Sequence, residues 1–392
     1  MKINILILLI TISGLTGFAQ QPYESVLKAV ETNNTTLKAL RQTAEAQKLE
    51  NKTGIFLPGP EAEFGYLWGN SAAGANRTDI NITQSFDIPT ITGMKGRMAG
   101  KQNQAVDWLY ASNRKEILLE AKLYCIDLVY LNAMANEMNK RLEYAREMEQ
   151  AFSRRFKAGE ANILKYNNMQ LILVSIQGEL EQVETERQMV SAQLKRLNGG
   201  TSISLNDTEY GSVELPELFE EWYARTEQKK PELALAQQEA VIREGMVNLE
   251  RWHNFPIFSA GYLSEKVGSE QFQGIVAGIS IPLWENKNQL ARAKTAALAA
   301  DAHQNDIRLQ MVAQAESQFA KTQRLKAISQ RYSNALKSFD NAVLLKKALT
   351  AGEISVVTYF VEISAYYNII NQSLEAERDF QKAAAELFSV DL

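Results

Sequence analysis

The sequence is poor in the residues from which active sites are usually assembled. Among 392 residues there is one cysteine, Cys125, and there are two histidines, His253 and His303. A single thiol cannot form a disulfide within the chain. Neither histidine has a cysteine or carboxylate cluster at ligand spacing, so neither a zinc site nor a Cys–His nucleophile can be built. The G-x-S-x-G nucleophile turn and the glycine-rich phosphate loops are missing too. No catalytic residue, cofactor or metal is therefore expected. The net charge of −4 leaves no basic excess to hold nucleic acid. Beyond the first residues no apolar stretch approaches the ~20 residues of a membrane-spanning helix, and the mean hydropathy of −0.26 agrees. If such a chain enters a membrane, it enters with strands.

What is present begins with an address. Lys2 gives a short basic start, Ile3 to Ile10 is almost unbroken apolar sequence, and Gly17 and Ala19 stand at −3 and −1 of a cut before Gln20. Residues 1–19 read as a secretory signal peptide. No cysteine follows the cut and no myristoylation pattern is present, so no lipid anchor is expected.

The mature chain is written twice. Ser85-Phe86-Asp87-Ile88-Pro89 corresponds to Gly278-Ile279-Ser280-Ile281-Pro282, and Lys157-Ala158-Gly159-Glu160 to Thr350-Ala351-Gly352-Glu353. Pro89 to Gly159 and Pro282 to Gly352 are the same interval, 70 residues. Upstream, Gly65-Tyr66-Leu67 pairs with Gly261-Tyr262-Leu263, and Asn34-x-x-Leu37 with Lys230-x-x-Leu233, at an offset of 196 rather than 193. The shift falls in Gly69 to Arg77, a run of loop composition where length changes are tolerated. Four markers in order identify an internal duplication. Each half holds an opening helix (Tyr23 to about Ile55; about Pro216 to Arg251), two short strands, a very long helix and a second long helix.

The long helices carry a coiled-coil period. From Ile91 to Lys157 there is no proline, and glycine occurs only at Gly93, Gly96 and Gly100. Ile117, Ala121, Tyr124, Leu128, Leu131, Ala135, Met138, Leu142 and Ala145 alternate steps of four and three, the spacing of a left-handed supercoil. Leu173, Ile176, Leu180, Val183, Arg187, Val190, Leu194 and Leu197 repeat it, as do Leu325, Ile328, Tyr332, Ala335, Phe339 and Ala342. Arg154, Arg155 and Lys157 precede Gly159, and Lys346 and Lys347 precede Gly352. Cations at a helix end followed by glycine predict a left-handed cap and a tight helical hairpin.

The strands alternate with period two. Phe64, Tyr66 and Trp68, then Ile80, Ile82 and Phe86, face away from their polar neighbours. Phe258, Ala260 and Tyr262, then Ile275, Ala277, Ile279 and Ile281, do the same. Hairpins packed on a soluble core would also alternate, but supercoiled helices leave these hairpins no separate core. The expectation is lipid on the face that carries Phe64, Tyr66, Trp68, Ile80, Ile82, Phe258, Tyr262, Ile275 and Ile279. Four strands cannot close, and lipid forbids open edges, so other copies must complete the barrel. Two copies would give a filled eight-stranded barrel, whereas three are the smaller number that leaves a hole.

Over nearly the whole mature chain this order resembles the TolC-like outer membrane efflux protein family. The features that carry the resemblance are the duplicated helix–strand–strand–helix–helix order, Asn34-x-x-Leu37, Lys230-Pro231-x-Leu233, the prolines closing the strand pairs and the Ala-Gly-Glu turns. The resemblance implies a mainly α protein with a small transmembrane β part: four strands per chain complete a twelve-stranded barrel in a homotrimer, continuing into a coiled-coil periplasmic tube. It implies a passive exit duct in the outer membrane, part of a tripartite efflux or type I secretion-like system with an inner-membrane pump and a periplasmic adaptor. By position, the adaptor-facing tips are Ala158, Gly159, Glu160, Ala351, Gly352 and Glu353. The best-known members narrow the tip with rings of aspartate. The corresponding residues here are Thr358 and Val361, with Glu362 beside them, and Lys165 and Asn168 in the first half, so a constriction at these five would not copy that gate. The parts are then a signal peptide (1–19), a first repeat (20–197; strands about 62–68 and 78–86, long helices about 91–157 and 160–197), a mid-tube linker (198–215) and a second repeat (216–392; strands about 257–264 and 272–281, long helices about 284–350 and 353–388).

A different class stays open, a periplasmic coiled-coil spacer or trimeric surface protein without transport. It needs the long helices but not two lipid-patterned hairpins at equivalent points. Met94 and Met98, and Met134 and Met138, share helix faces. Thioethers there suit either Cu(I) or gap-filling in a core, the commoner use.

Overall fold

The computed structural model describes residues 23–70, 74–86, 89–160, 162–339 and 341–392. The expected signal peptide lies outside them. The elements in chain order are α1 (Glu24–Asn33), α2 (Thr35–Glu50), β1 (Glu61–Leu67), β2 (Arg77–Phe86), α3 (Pro89–Lys157), α4 (Ile163–Leu197), α5 (Phe219–Thr226), α6 (Pro231–Trp252), β3 (Ile257–Val267), β4 (Glu270–Ser280), α7 (Gln289–Ser338), α8 (Asn341–Ala351) and α9 (Val356–Leu387). The chain is mainly helical with one small sheet. With 69 residues at ~1.5 Å each, α3 alone is ~100 Å long.

The opening helix of each half is broken, where one continuous helix was expected. Asn34 sits at φ −57°, ψ 123° between α1 and α2, and its side chain donates to the Leu197 carbonyl at 2.8 Å. Its repeat counterpart Lys230, at φ −74°, ψ 112°, precedes Pro231, whose ring pushes the preceding residue out of the helical region. Different causes produce the same break in both halves. Next to it Asn33 donates to Asn198 at 3.0 Å, and at the repeat-equivalent positions Lys229 pairs with Asp391 at 3.3 Å.

Two compact units are interleaved along the chain, one of residues 1–34, 118–215 and 321–386, the other of 35–117, 216–320 and 387–392. In the first, α3 is the central helix. Ala121, Leu128, Leu131, Ala135, Met138 and Leu142 of the expected seam are buried, but so are Leu118, Cys125, Ile126, Val129 and Met134. The seam is therefore one side of a wider buried surface. Burial pushes the Cys125 thiol up to about 12, so it stays a neutral packing group rather than a nucleophile. The eight seam residues of α4 are all at least half-buried. That of α7 departs from expectation, with Ile328 and Phe339 exposed and the buried line running through Thr322 and Ser329. Both hydroxyls are satisfied on α9, Thr322 by the Ala383 carbonyl at 3.3 Å and Ser329 by Glu377. Small polar residues can line a helix contact when a partner accepts their proton, which a search for apolar spacing passes over. The helix expected over 284–350 also stops at Ser338, leaves Phe339 outside, and resumes as α8.

The second unit holds α2, the sheet and α6. Phe219, Trp222, Tyr223, Phe319 and Phe388 form an aromatic cluster with centroids 5.4–6.5 Å apart. Glu232 of α6 is held by Lys115 and Ser112 of α3. Met98 fills the space left by Gly245, where a Cβ would collide with its methyl group. Met134 and Met138 are buried in the first unit. These three methionines serve as packing, and among the described residues no cluster of three or more histidine, cysteine or carboxylate groups could hold a metal. No described helix is long and apolar enough to cross a membrane.

The segment between the repeats is pinned in the first unit. Asn132 donates from α3 to the Leu205 and Asp207 carbonyls at 2.9 and 3.1 Å, and the Tyr210 hydroxyl donates to the Ile126 carbonyl at 2.8 Å. Removing both donors leaves the buried Leu205 carbonyl without Asn132, at ~1–3 kcal/mol, and loses the bonds to Asp207 and Ile126. In the double variant Asn132→Ala/Tyr210→Phe, limited proteolysis is expected to cut within 203–211 at least tenfold faster, with helical circular dichroism unchanged. An unchanged cutting rate would show that these bonds do not hold the segment.

Candidate functional site: one sheet face and two helical tips

The four strands form one antiparallel sheet in the order β1-β2-β3-β4. The middle pairing, β2 with β3, joins the two halves of the duplication. Its register stacks the alternating residues into continuous rows. Phe64 lies opposite Ile80, Ile82 opposite Tyr262 and Phe86 opposite Phe258, then Tyr262 opposite Ile275 and Phe258 opposite Ile279. One face thus carries an apolar row across all four strands, Ala62–Ile82–Tyr262–Ile275, while the Phe64–Ile80 row continues into Ser264 and Gln273. Ile275 is 91% exposed and Phe64 is 72% exposed. The opposite face carries Glu63 across from Asn81, Asp79 across from Glu265, and Ser85, Ser259 and Gly278 in one row. There Arg77 bridges Asp79 at 2.8 Å and Glu265 at 3.2 Å. Gly261 belongs to this face, and a side chain on it would run into the Ile82 carbonyl.

Eight of the nine residues expected to face lipid lie on the apolar face within strands. The ninth, Trp68, lies just past the end of β1 and packs edge-on against Tyr66 at 5.7 Å. Among the described residues β1 and β4 each have one strand neighbour. Their outer N–H and C=O groups therefore form two open edges beside an exposed apolar face, a combination that soluble proteins avoid.

The two tips have the same backbone geometry. Gly159 and Gly352 take φ of 73° and 78°. The amide of Glu160 donates to the Arg155 carbonyl at 2.8 Å and that of Gly159 to Phe156 at 3.0 Å. Glu353 and Gly352 donate in the same pattern to Ala348 at 2.9 Å and Leu349 at 3.2 Å. These are paired Schellman caps, in which a left-handed glycine lets the chain reverse while the last carbonyls stay bonded. After each tip a side chain starts the next helix. Asn162 accepts from the Leu164 amide, and Ser355 accepts from the Thr358 amide at 3.1 Å.

Of the five residues expected to narrow the tip, Lys165, Asn168, Thr358, Val361 and Glu362 are all exposed in the chain. The Thr358 hydroxyl is engaged locally, 2.8 Å from that of Ser355. A contact that the sequence reading missed lies nearby. Arg141, only 4% exposed, stacks its guanidinium 4.2 Å from the Tyr367 ring centre. It donates to Asn371 at 2.9 Å and to the Tyr367 carbonyl at 3.4 Å, and it pairs with Glu137 at 3.0 Å. This ties α3 to α9. Its one signal in the sequence is an arginine beside Leu142 in an otherwise apolar register.

The fold is that of the TolC-like outer-membrane channels. The outer membrane protein VceC of Vibrio cholerae superposes with a TM-score of 0.75 at 13% identity, over 93% of this chain and 95% of that one. The open-state outer membrane channel MtrE of Neisseria gonorrhoeae gives 0.76 at 13% identity, over 93% and 88%. The Campylobacter jejuni outer membrane channel CmeC gives 0.68 at 14% identity, over 94% and 84%. No protein-family model and no curated protein matches the chain by sequence.

The caps make a direct prediction. Valine at a left-handed glycine costs ~1–2 kcal/mol, so Gly352→Val is expected to fray the end of α8. Hydrogen exchange at the 352 and 353 amides should speed up about tenfold, with protection in β2 and β3 unchanged. Equal protection in variant and wild type would contradict the cap.

Proposed function

We propose that this chain is the outer-membrane channel component of a tripartite efflux or type I secretion-like system. It is a passive exit duct for substrates delivered by an inner-membrane pump through a periplasmic adaptor. The observation that carries the reading is the sheet, with its exposed apolar face and two open edges. In hydrocarbon each unpaired backbone group costs several kcal/mol, so the edges require strands from other copies. Three copies would give twelve strands with the Glu63, Asp79 and Ser259 face turned to a wet lumen. Residues 1–19 act in this reading as the export signal. The two repeats, joined by the segment 198–215, each contribute one hairpin to a periplasmic tube. Ala158, Gly159, Glu160, Ala351, Gly352 and Glu353 then meet the adaptor, and Lys165, Asn168, Thr358, Val361 and Glu362 line the narrow end. The chain performs no catalysis of its own. A coiled-coil spacer without transport would have no use for the exposed apolar row that spans all four strands.

Two substitutions one residue apart test this. Ile82→Arg places a guanidinium on the lipid face, at ~2–4 kcal/mol near the midplane and once per copy. It is expected to abolish trimer assembly in outer-membrane extracts. Thr83→Arg points to the lumen and is expected to assemble normally and to lower cation conductance in planar bilayers. Equal tolerance of both, or a monodisperse wild-type monomer with full β signal, would defeat the barrel.

A further inference from the structure

The two tip hairpins are equivalent in sequence but are not filled alike. In the first, Phe156 stacks on Tyr166 with centroids 5.3 Å apart and planes 4° apart. Gln170 donates to Glu149 at 2.6 Å and to the Tyr166 hydroxyl at 3.0 Å. At the repeat offset of 193, Tyr166 corresponds to Tyr359, Gln170 to Ile363 and Glu149 to Ala342. The second hairpin keeps the tyrosine and loses the polar bridge. Its outer helix is also interrupted at Phe339, whereas α3 runs unbroken through the matching region. A cavity of about 650 Å³ opens there among α3, α8 and α9.

The walls of this cavity are amphipathic. Ala342, Val343, Ile363 and the rings of Tyr144, Tyr359 and Tyr367 form the apolar part. Lys346 and Lys347 line it from α8. Lys346 is committed, 3.2 Å from Glu147 and 4.5 Å from the Tyr144 ring centre. Lys347 has no ion pair among the described residues. Tyr359 is only 7% exposed, and its hydroxyl makes no hydrogen bond among the described residues. Burial raises the pKa of this phenol above its ordinary range, so it remains a protonated donor at neutral pH.

We propose that this cavity is a binding site for a small amphipathic organic anion, an aromatic or alkyl body bearing one carboxylate or sulfonate. The volume suits a drug-sized molecule. The body would lie against Ile363, Val343 and the tyrosine rings, and the anionic group would accept from Lys347 and the Tyr359 hydroxyl. A purely apolar ligand leaves the buried Tyr359 hydroxyl unserved, and a cation meets two ammonium groups. The site is built wholly within one unit of the chain and borders Ala351 of the proposed adaptor-facing tip.

The test is isothermal titration of the detergent-extracted, full-length protein with 2-naphthalenesulfonate, blanked against micelles alone. The comparison ligand is 2-naphthylmethylammonium. Wild type should bind the sulfonate saturably, one per chain, and should not bind the ammonium. Lys347→Gln should weaken binding about tenfold, the loss of one charge-assisted hydrogen bond. Ala342→Trp should abolish it by filling the cavity, and Lys157→Gln at the other tip should change nothing. If Ala342→Trp does not fold, Lys347→Gln and Tyr359→Phe decide, each weakening the sulfonate alone. The proposal is overturned by no saturable binding to wild type, by equal binding of the ammonium, or by unchanged affinity in Lys347→Gln and Tyr359→Phe. Conductance of the same preparation in bilayers, measured separately, reports on the channel whichever way binding turns out.

Discussion

Backbone hydrogen bonding at the edges of a four-stranded sheet is the constraint on which the rest depends. Each strand residue carries a donor and an acceptor, and β1 and β4 direct half of theirs away from the sheet. In water those groups would be solvated. In the membrane setting proposed above, the apolar residues of this face would meet lipid, which makes open edges untenable. Under that proposal, further strands would relieve exposed apolar area and unpaired backbone together. Because β2 pairs with β3, the duplication yields one wide sheet rather than two isolated hairpins. Each copy thus offers two edges instead of four.

The helices meet a different requirement, a long packing surface. α3 meets it by being buried on several sides between Leu118 and Leu142. There the buried charged side chain, Arg141, is held by Glu137, Asn371 and Tyr367. Its pairing with Glu137 offsets part of the cost of burying the guanidinium, its contacts with Asn371 and Tyr367 tie α3 to α9, and removing Glu137 would leave the charge without its counter-ion. The left-handed glycines then reverse the chain without losing terminal hydrogen bonds. The duplicated plan leaves room for divergence, since the polar Gln170–Glu149 filling of the first hairpin becomes Ile363 and Ala342 in the second.

Features set by a few neighbouring residues were legible in the sequence. The Ala-Gly-Glu turns are caps because only glycine takes positive φ cheaply, wherever the hairpin points. Within each strand the two sides were legible because side chains alternate, so Phe64 and Tyr66 share a side of β1, and Ile80 and Ile82 a side of β2, whatever their partners are; that these sides coincide across the sheet was decided by the strand register. The duplication was visible because both repeat intervals survive in one chain. Features set by distant chain were not legible. Asn34 breaks its helix because the Leu197 carbonyl takes up its amide, and nothing near Asn34 announces that. Thr322 and Ser329 are buried because Ala383 and Glu377 meet them, so the line of α7 that packs inward is not its most apolar line. The interruption at Phe339 has neither proline nor glycine to mark it. Local conformation is decided by sterics within a few residues, which the sequence states directly. Burial and hydrogen-bond partnership are decided by what packs against a residue from far along the chain, and only the tertiary structure supplies that.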